Sequence, residues 1–213
     1  MYGQFFILFG LILVGYYCNK KGYLPMETNK NVGNMVMRVT IPAMLITTIA
    51  SIEITDRVLK AFFFSAAGQA AMMILFGFLM RQYGRKRGLG SRLLPMIDLT
   101  TGSLNTGFIG LPVTMIFFGQ AGIIYMSAGV LALNLYLWSY GVYLISDKKA
   151  TGAAAIGKSF LQGAINPNCI SILLGLLLAV THTARFVPTV VLGFLTKVGD
   201  LSTPLSLIYI GAL

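Results

Sequence analysis

Of the 213 residues, 56% are hydrophobic and only 10% charged, with a mean hydropathy of +0.80, which leaves too little polar surface to clothe a water-soluble fold. Lipid must act as the solvent, and counted in spans of about 20 residues the chain has room for about seven. The formal charge of +10 is explained by where the basic residues fall between those spans, and it excludes a nucleic-acid partner as its cause.

In chain order, apolar runs cover residues 5–18, 32–52, 58–80, 93–118, 121–146, 168–181 and 186–213. Each is read as a membrane helix, since the runs exceed the roughly 10-residue strands of membrane barrels and lack their alternation. Between Arg92 and Asp147 the only charged residue is Asp98. That stretch must therefore be two spans joined by the corner Phe118-Gly119-Gln120.

Lys and Arg alternate from loop to loop. Lys20, Lys21 and Lys30 follow the first run, Arg81, Arg85, Lys86, Arg87 and Arg92 the third, and Lys148, Lys149 and Lys158 the fifth. The intervening connections hold only Arg57, Lys60 and Arg185. Eleven against three places the odd loops in the cytoplasm and the N-terminus outside, in a plasma-membrane, multi-pass arrangement. No basic residue precedes the first run, so it reads as a first span and not as a cleavable signal. Cys18 and Cys169 are expected to be unpaired thiols near the inner face, and His182 to be a loop residue.

A faint repeat connects the two ends. Gly10-Leu11-Ile12-Leu13 leads to Pro25 and then Pro42-Ala43-Met44-Leu45-Ile46, as Gly175-Leu176-Leu177-Leu178 leads to Pro188 and then Pro204-Leu205-Ser206-Leu207-Ile208. Five spans separate the copies, so the second unit is inserted upside down relative to the first. The organisation expected is a five-helix repeat over 1–146, a cytoplasmic linker over 147–165, and over 166–213 the first two helices of an incomplete second repeat. The uncapped ending Tyr209-Ile210-Gly211-Ala212-Leu213 reads as an interrupted chain, and a homodimer is one way such a chain could complete a site.

The fourth run holds the most informative residues, Thr100-Thr101-Gly102-Ser103-Leu104-Asn105-Thr106-Gly107-Phe108-Ile109-Gly110-Leu111-Pro112. Three glycines and a proline weaken a helix, and backbone opened inside lipid must find partners in the protein or in a water-lined cavity. A broken helix offers free N–H groups and a positive dipole end to a carboxylate, and carbonyls to a cation. The alternative is an ordinary proline kink with glycines at helix contacts. The clustering of Ser, Thr and Asn beside the breakers favours a break.

Ionisable groups inside spans are costly and mark pathways or pairs. Asp98 and Arg38 can snorkel or pair. Lys197 and Asp200, three apart, can neutralise each other on one helix face. Asp98 and Asp200 are the candidates for proton or sodium coupling. Asn134 either touches substrate beside the break or hydrogen-bonds between helices. Trp138, Tyr136, Tyr140 and Tyr143 read as interface anchors.

One motif points elsewhere. Gly152-Ala153-Ala154-Ala155-Ile156-Gly157-Lys158-Ser159 fits the phosphate-loop pattern G-x-x-x-x-G-K-[ST]. That loop needs a strand before it, a helix after it and a magnesium-binding Asp, and membrane spans flank it here instead. A nucleotide-binding membrane protein and a non-transporting receptor or subunit are therefore the competing readings. No catalytic triad, metal-ligand spacing or paired carboxylates are visible, so neither an enzyme nor a cofactor is expected.

Taken together, Asn105 to Pro112, Phe118-Gly119, Asn166-Pro167 followed by Gly175, and Pro204-Leu205-Ser206-Leu207 resemble the auxin efflux carrier family across essentially the whole chain. That family includes plant auxin exporters and bacterial permeases for malate and malonate, and its fold is similar to those of bile-acid symporters and sodium/proton antiporters. The resemblance implies an all-α membrane protein of ten spans in two inverted five-helix repeats, with crossed broken helices at spans four and nine. It implies a break centred on Pro112 and substrate beside Asn105, and on this reading the binding residues are Asn105, Thr106, Gly107, Gly110, Pro112 and Asn134. It also implies an elevator in which spans three to five carry a small organic anion past a scaffold of spans one, two, six and seven.

Overall fold

The computed structural model describes residues 2–91, 93–145 and 165–213, and every regular element among them is helical. Helix α1 (Tyr2–Lys20) is followed by α2 (Met26–Met35) and α3 (Ile41–Ala50), which join through the π turn Val36–Thr40 into one run of 25 residues. The cause is Pro42, in the first turn of α3. It has no N–H, and its ring would collide with the Arg38 carbonyl in an α turn. The backbone widens by one residue, and the Ile41 N–H reaches the Val36 carbonyl. The run begins at Met26, six residues before the apolar segment that announces it, because its first turns carry Glu27, Asn29 and Lys30.

Helix α4 (Asp56–Lys86) is capped by Thr55, whose hydroxyl accepts the Val58 N–H at 3.3 Å. Asp56 in its first turn and Arg85 and Lys86 in its last suit the helix dipole. It continues past residue 80, so Arg81 lies on a helix and not in a loop.

After α5 (Leu93–Gly102) come the π turn Thr106–Gly110, α6 (Leu111–Tyr136), the π turn Leu137–Gly141 and α7 (Val142–Ile145). This apolar stretch, Leu93–Leu144, has 52 residues. Straight, it would measure about 78 Å against roughly 30 Å of hydrocarbon. Gly119 folds it back: at φ 63 and ψ −157 it adopts a backbone open mainly to glycine. A Cβ on Gly110 would lie 3.0 Å from the Met126 sulfur, although 16 residues of straight helix would separate them by about 24 Å. The corner expected at Phe118-Gly119-Gln120 is thus present.

Asn166 caps α8 (Pro167–Val180) by accepting the Asn168 N–H at 2.9 Å. Its 14 residues reach about 21 Å, shorter than the other spans. Past His182, which is left-handed at φ 54, and a 3-10 turn at Thr183–Phe186, α9 (Thr189–Asp200) and α10 (Ser202–Gly211) meet at Leu201. Among the described residues, five helical runs are long and apolar enough to cross a membrane, the doubled-back stretch counting as one of them.

Two parallel pairs join the ends of the chain. In the first, α1 lies on α10 so closely that a Cβ on Gly15 would overlap the Ile208 carbonyl, and one on Gly211 the Ile12 carbonyl. Asn19 Nδ2 donates to the Ala212 carbonyl at 2.6 Å. In the second, Gly175 of α8 faces Leu45 and Ile49 of α3. Small residues let backbones approach where lipid supplies no hydrophobic drive to associate. Helix α4 packs antiparallel to α5 and parallel to the second arm of α6, with Ser65 and Gln69 donating to the Tyr125 carbonyl. Val36, Ile41, Leu45, Ile49, Leu111 and Ile172 form the shared core, while Phe6, Phe64 and Val190 are at least four-fifths exposed, the side chains lipid would cover.

Candidate functional site

Asp98 lies on helix α5, and the backbone break follows that helix directly. The break falls at residues 103–105, seven positions earlier than the proline on which the family resemblance centres it; Pro112 lies in the first turn of α6. Here the Leu104 N–H turns back to the Gly102 carbonyl at 3.0 Å and the Thr106 N–H to the Leu104 carbonyl at 2.8 Å. Asn105, at φ −78 and ψ 68, is thus the centre of an inverse γ-turn. Its Oδ1 accepts the Phe108 N–H at 3.1 Å, so the asparagine caps the second half-helix. The ten residues of α5 put the break about 15 Å from their start, half the thickness of the hydrocarbon.

Leu104 and Asn105 are exposed, whereas Thr106 is buried with its hydroxyl unpartnered. Gly107 rests on the Met37 thioether and Gly110 on that of Met126. The Phe108 ring stacks on Tyr209 at 4.6 Å. The π turn that follows the break therefore sits between the π turn of the second span, α10 and the folded-back arm of α6.

Asn134 Nδ2 donates to the Val130 carbonyl of its own helix at 2.8 Å. Asp98 is fully buried, and its Oδ2 takes the Arg81 guanidinium at 3.3 Å and the Tyr140 hydroxyl at 2.9 Å. Asp98 Oδ1 and the Tyr136 hydroxyl are buried without partners on either side of Gly77, whose Cβ would overlap that carboxylate oxygen. Tyr136 is thus buried and Tyr140 half-buried in a polar cluster, and of the four aromatics only Trp138 and Tyr143 stay exposed.

Lys197 and Asp200 do not pair; the one ion pair among the described residues joins Arg81 to Asp98. Asp200 instead lines a cavity of about 130 Å³ with Thr47, Thr48, Ser51, Gln120 and Thr196. The phosphate-loop motif, Gly152 to Ser159, lies outside the described residues. Sequence reasoning missed Arg81 and Tyr140 as partners of Asp98, although the four-residue spacing of Tyr136 and Tyr140 places both on one helix face.

Comparison with known proteins gives two findings. A family model described as "Membrane transport protein" matches residues 1–213. An "Uncharacterized transporter" of Methanothermobacter thermautotrophicus is 29% identical over 117 residues, 54% of this chain and 37% of that protein's length.

Proposed function

Since the chain belongs to the membrane transport protein family, bearing out the auxin efflux carrier resemblance of its motifs, we propose that it is a secondary transporter of small organic anions of the auxin or malate type. The observation that carries this reading is the mid-membrane break at residues 103–105, capped by Asn105 and exposed at Leu104 and Asn105. Backbone of this kind is tolerated in a bilayer only where protein covers it or water fills a cavity beside it. The half-helix beyond it turns its positive end towards the opening, where a carboxylate is stabilised.

Asn105, Thr106 and Gly107 form the binding face, and Gly110 and Pro112 shape the turn behind it. Asn134 spends one N–H on the Val130 carbonyl of its own helix and has its second N–H and its Oδ1 left to offer substrate.

The packing supports inverted repeats. Exchanging span one for six and two for seven turns the α1–α10 contact into the α8–α3 contact, and both pairs are parallel and close. It also supports an elevator, since α4 packs on α5 and α6, while α1 to α3 pack with α8 to α10, and the two sets meet mainly along α6. Asp98, surrounded by Arg81, Tyr140 and Tyr136, and Asp200 in its polar cavity are the proposed coupling carboxylates.

The test is saturable uptake of radiolabelled malate into proteoliposomes. Asn105→Ala is expected to reduce it at least tenfold, and unchanged uptake would remove the break from the mechanism. Uptake whose pH dependence survives both Asp98→Asn and Asp200→Asn would exclude these carboxylates from coupling.

A further inference from the structure

A second polar site lies beside the break, at the end of the bundle where α8 begins. A cavity of about 350 Å³ is lined by Met37, Arg38, Asn166, Pro167 and Asn168. Three features of it point to one ligand chemistry. The N-terminus of the 14-residue α8 opens here, with Asn166 as its cap and Pro167 in its first turn, and such an end favours negative charge. Arg38, exposed and without an ion pair among the described residues, brings a planar guanidinium suited to two oxygens of a carboxylate or phosphate. Asn168 is 2% exposed, and its Oδ1 is buried without a partner. A buried amide in that state calls for an occupant.

We infer that this cavity binds a small oxyanion carrying a hydroxyl, a hydroxycarboxylate or a hydrogen phosphate, with its charged oxygens on Arg38 and the start of α8 and its hydroxyl on Asn168. The π turn Val36–Thr40 presents Met37 and Arg38, and π turns gather at functional sites. Met37 lines the cavity and also touches Gly107 beyond the break, so a single side chain stands between the two sites. The ligand class follows from the local chemistry alone and goes beyond the transport reading.

The test is equilibrium binding of inorganic phosphate to the purified full chain in nanodiscs of zwitterionic lipid at fixed ionic strength. Arg38→Gln is expected to weaken binding about tenfold or more, Arg38→Lys to weaken it less, and Asn105→Ala to leave it unchanged. Because Arg38 is exposed, its replacement leaves the fold intact, which an unchanged unfolding temperature checks. Phosphate affinity equal to wild type in Arg38→Gln would overturn the inference, as would its loss in Asn105→Ala. If nanodiscs with one-fifth phosphatidylglycerol lower the apparent phosphate affinity of wild type and not of Arg38→Gln, the site stands and a lipid headgroup is its resident anion. Since the readout is binding and not uptake, the site can fail while transport stands, or stand while transport fails.

Discussion

The second and fourth spans contain the same backbone device and use it differently. In each, a five-residue π turn is followed by one residue and a proline: Val36–Thr40 before Ile41 and Pro42, Thr106–Gly110 before Leu111 and Pro112. In the second span the helix continues through the turn for 25 residues. In the fourth it stops three residues before the turn begins. Proline therefore widens a turn but does not open the chain. The opening comes from Gly102, Ser103 and Asn105, whose side chains are absent or bond to local backbone, as when Ser103 Oγ donates to the Leu99 carbonyl at 2.6 Å. An ordinary kink and a binding break thus differ in what precedes the proline.

Charge separates the two spans as well, and the largest predicted effect is there. Arg81→Ala leaves Asp98 buried without its counter-charge and should cost roughly 3 kcal/mol in unfolding measured in detergent. Arg38→Gln, on the exposed side of the second span, should change stability by less than about 0.5 kcal/mol. Gly77→Ala pushes a methyl into the Asp98 carboxylate and should cost about 2 kcal/mol by overpacking, with a lower unfolding temperature as readout. Asn105→Ala removes the cap of the second half-helix and should cost about 1 kcal/mol. In the π turn of the second span, Thr40→Val loses only a 3.4 Å hydroxyl contact to the Val36 carbonyl and should stay within about 0.5 kcal/mol. Smallest of all, Pro112→Ala should leave amide exchange at Leu104 and Thr106 as fast as before. In Pro42→Ala, exchange across the second span's turn should slow as an α turn closes. Protection of Thr106 in Pro112→Ala would return the cause of the break to the proline.

Hydropathy located the apolar runs because a membrane helix must keep its side chains apolar wherever lipid meets them, and the glycine corner was visible since no charge interrupts the stretch around it. Helix ends were less legible. Arg81 and Met26 lie on helices whose last and first turns are polar, and polarity in a sequence reads as loop. The Arg81–Asp98 pair was hidden for the same reason: its partners are 17 residues apart, on antiparallel helices, a relation no single-helix spacing reveals. Lys197 and Asp200 show the converse. Their spacing allows a pair, yet Asp200 opens into a hydroxyl-lined cavity where other partners are available. The break itself was legible in composition, but its position was not, because proline is the most conspicuous breaker and the cap seven residues upstream sets the boundary.

Transport by this chain requires the break at residues 103–105 to open to water and to hold an anion. Leu104→Cys, with Cys18 and Cys169 replaced by Ser, places a thiol there, and Leu75→Cys places one on the exposed flank of α4. Reaction with a charged, membrane-impermeant thiol reagent should modify Leu104→Cys and spare Leu75→Cys, and malate should slow the reaction in a saturable way. A Leu104→Cys variant as inert as Leu75→Cys, or one whose labelling malate does not alter, would contradict the account.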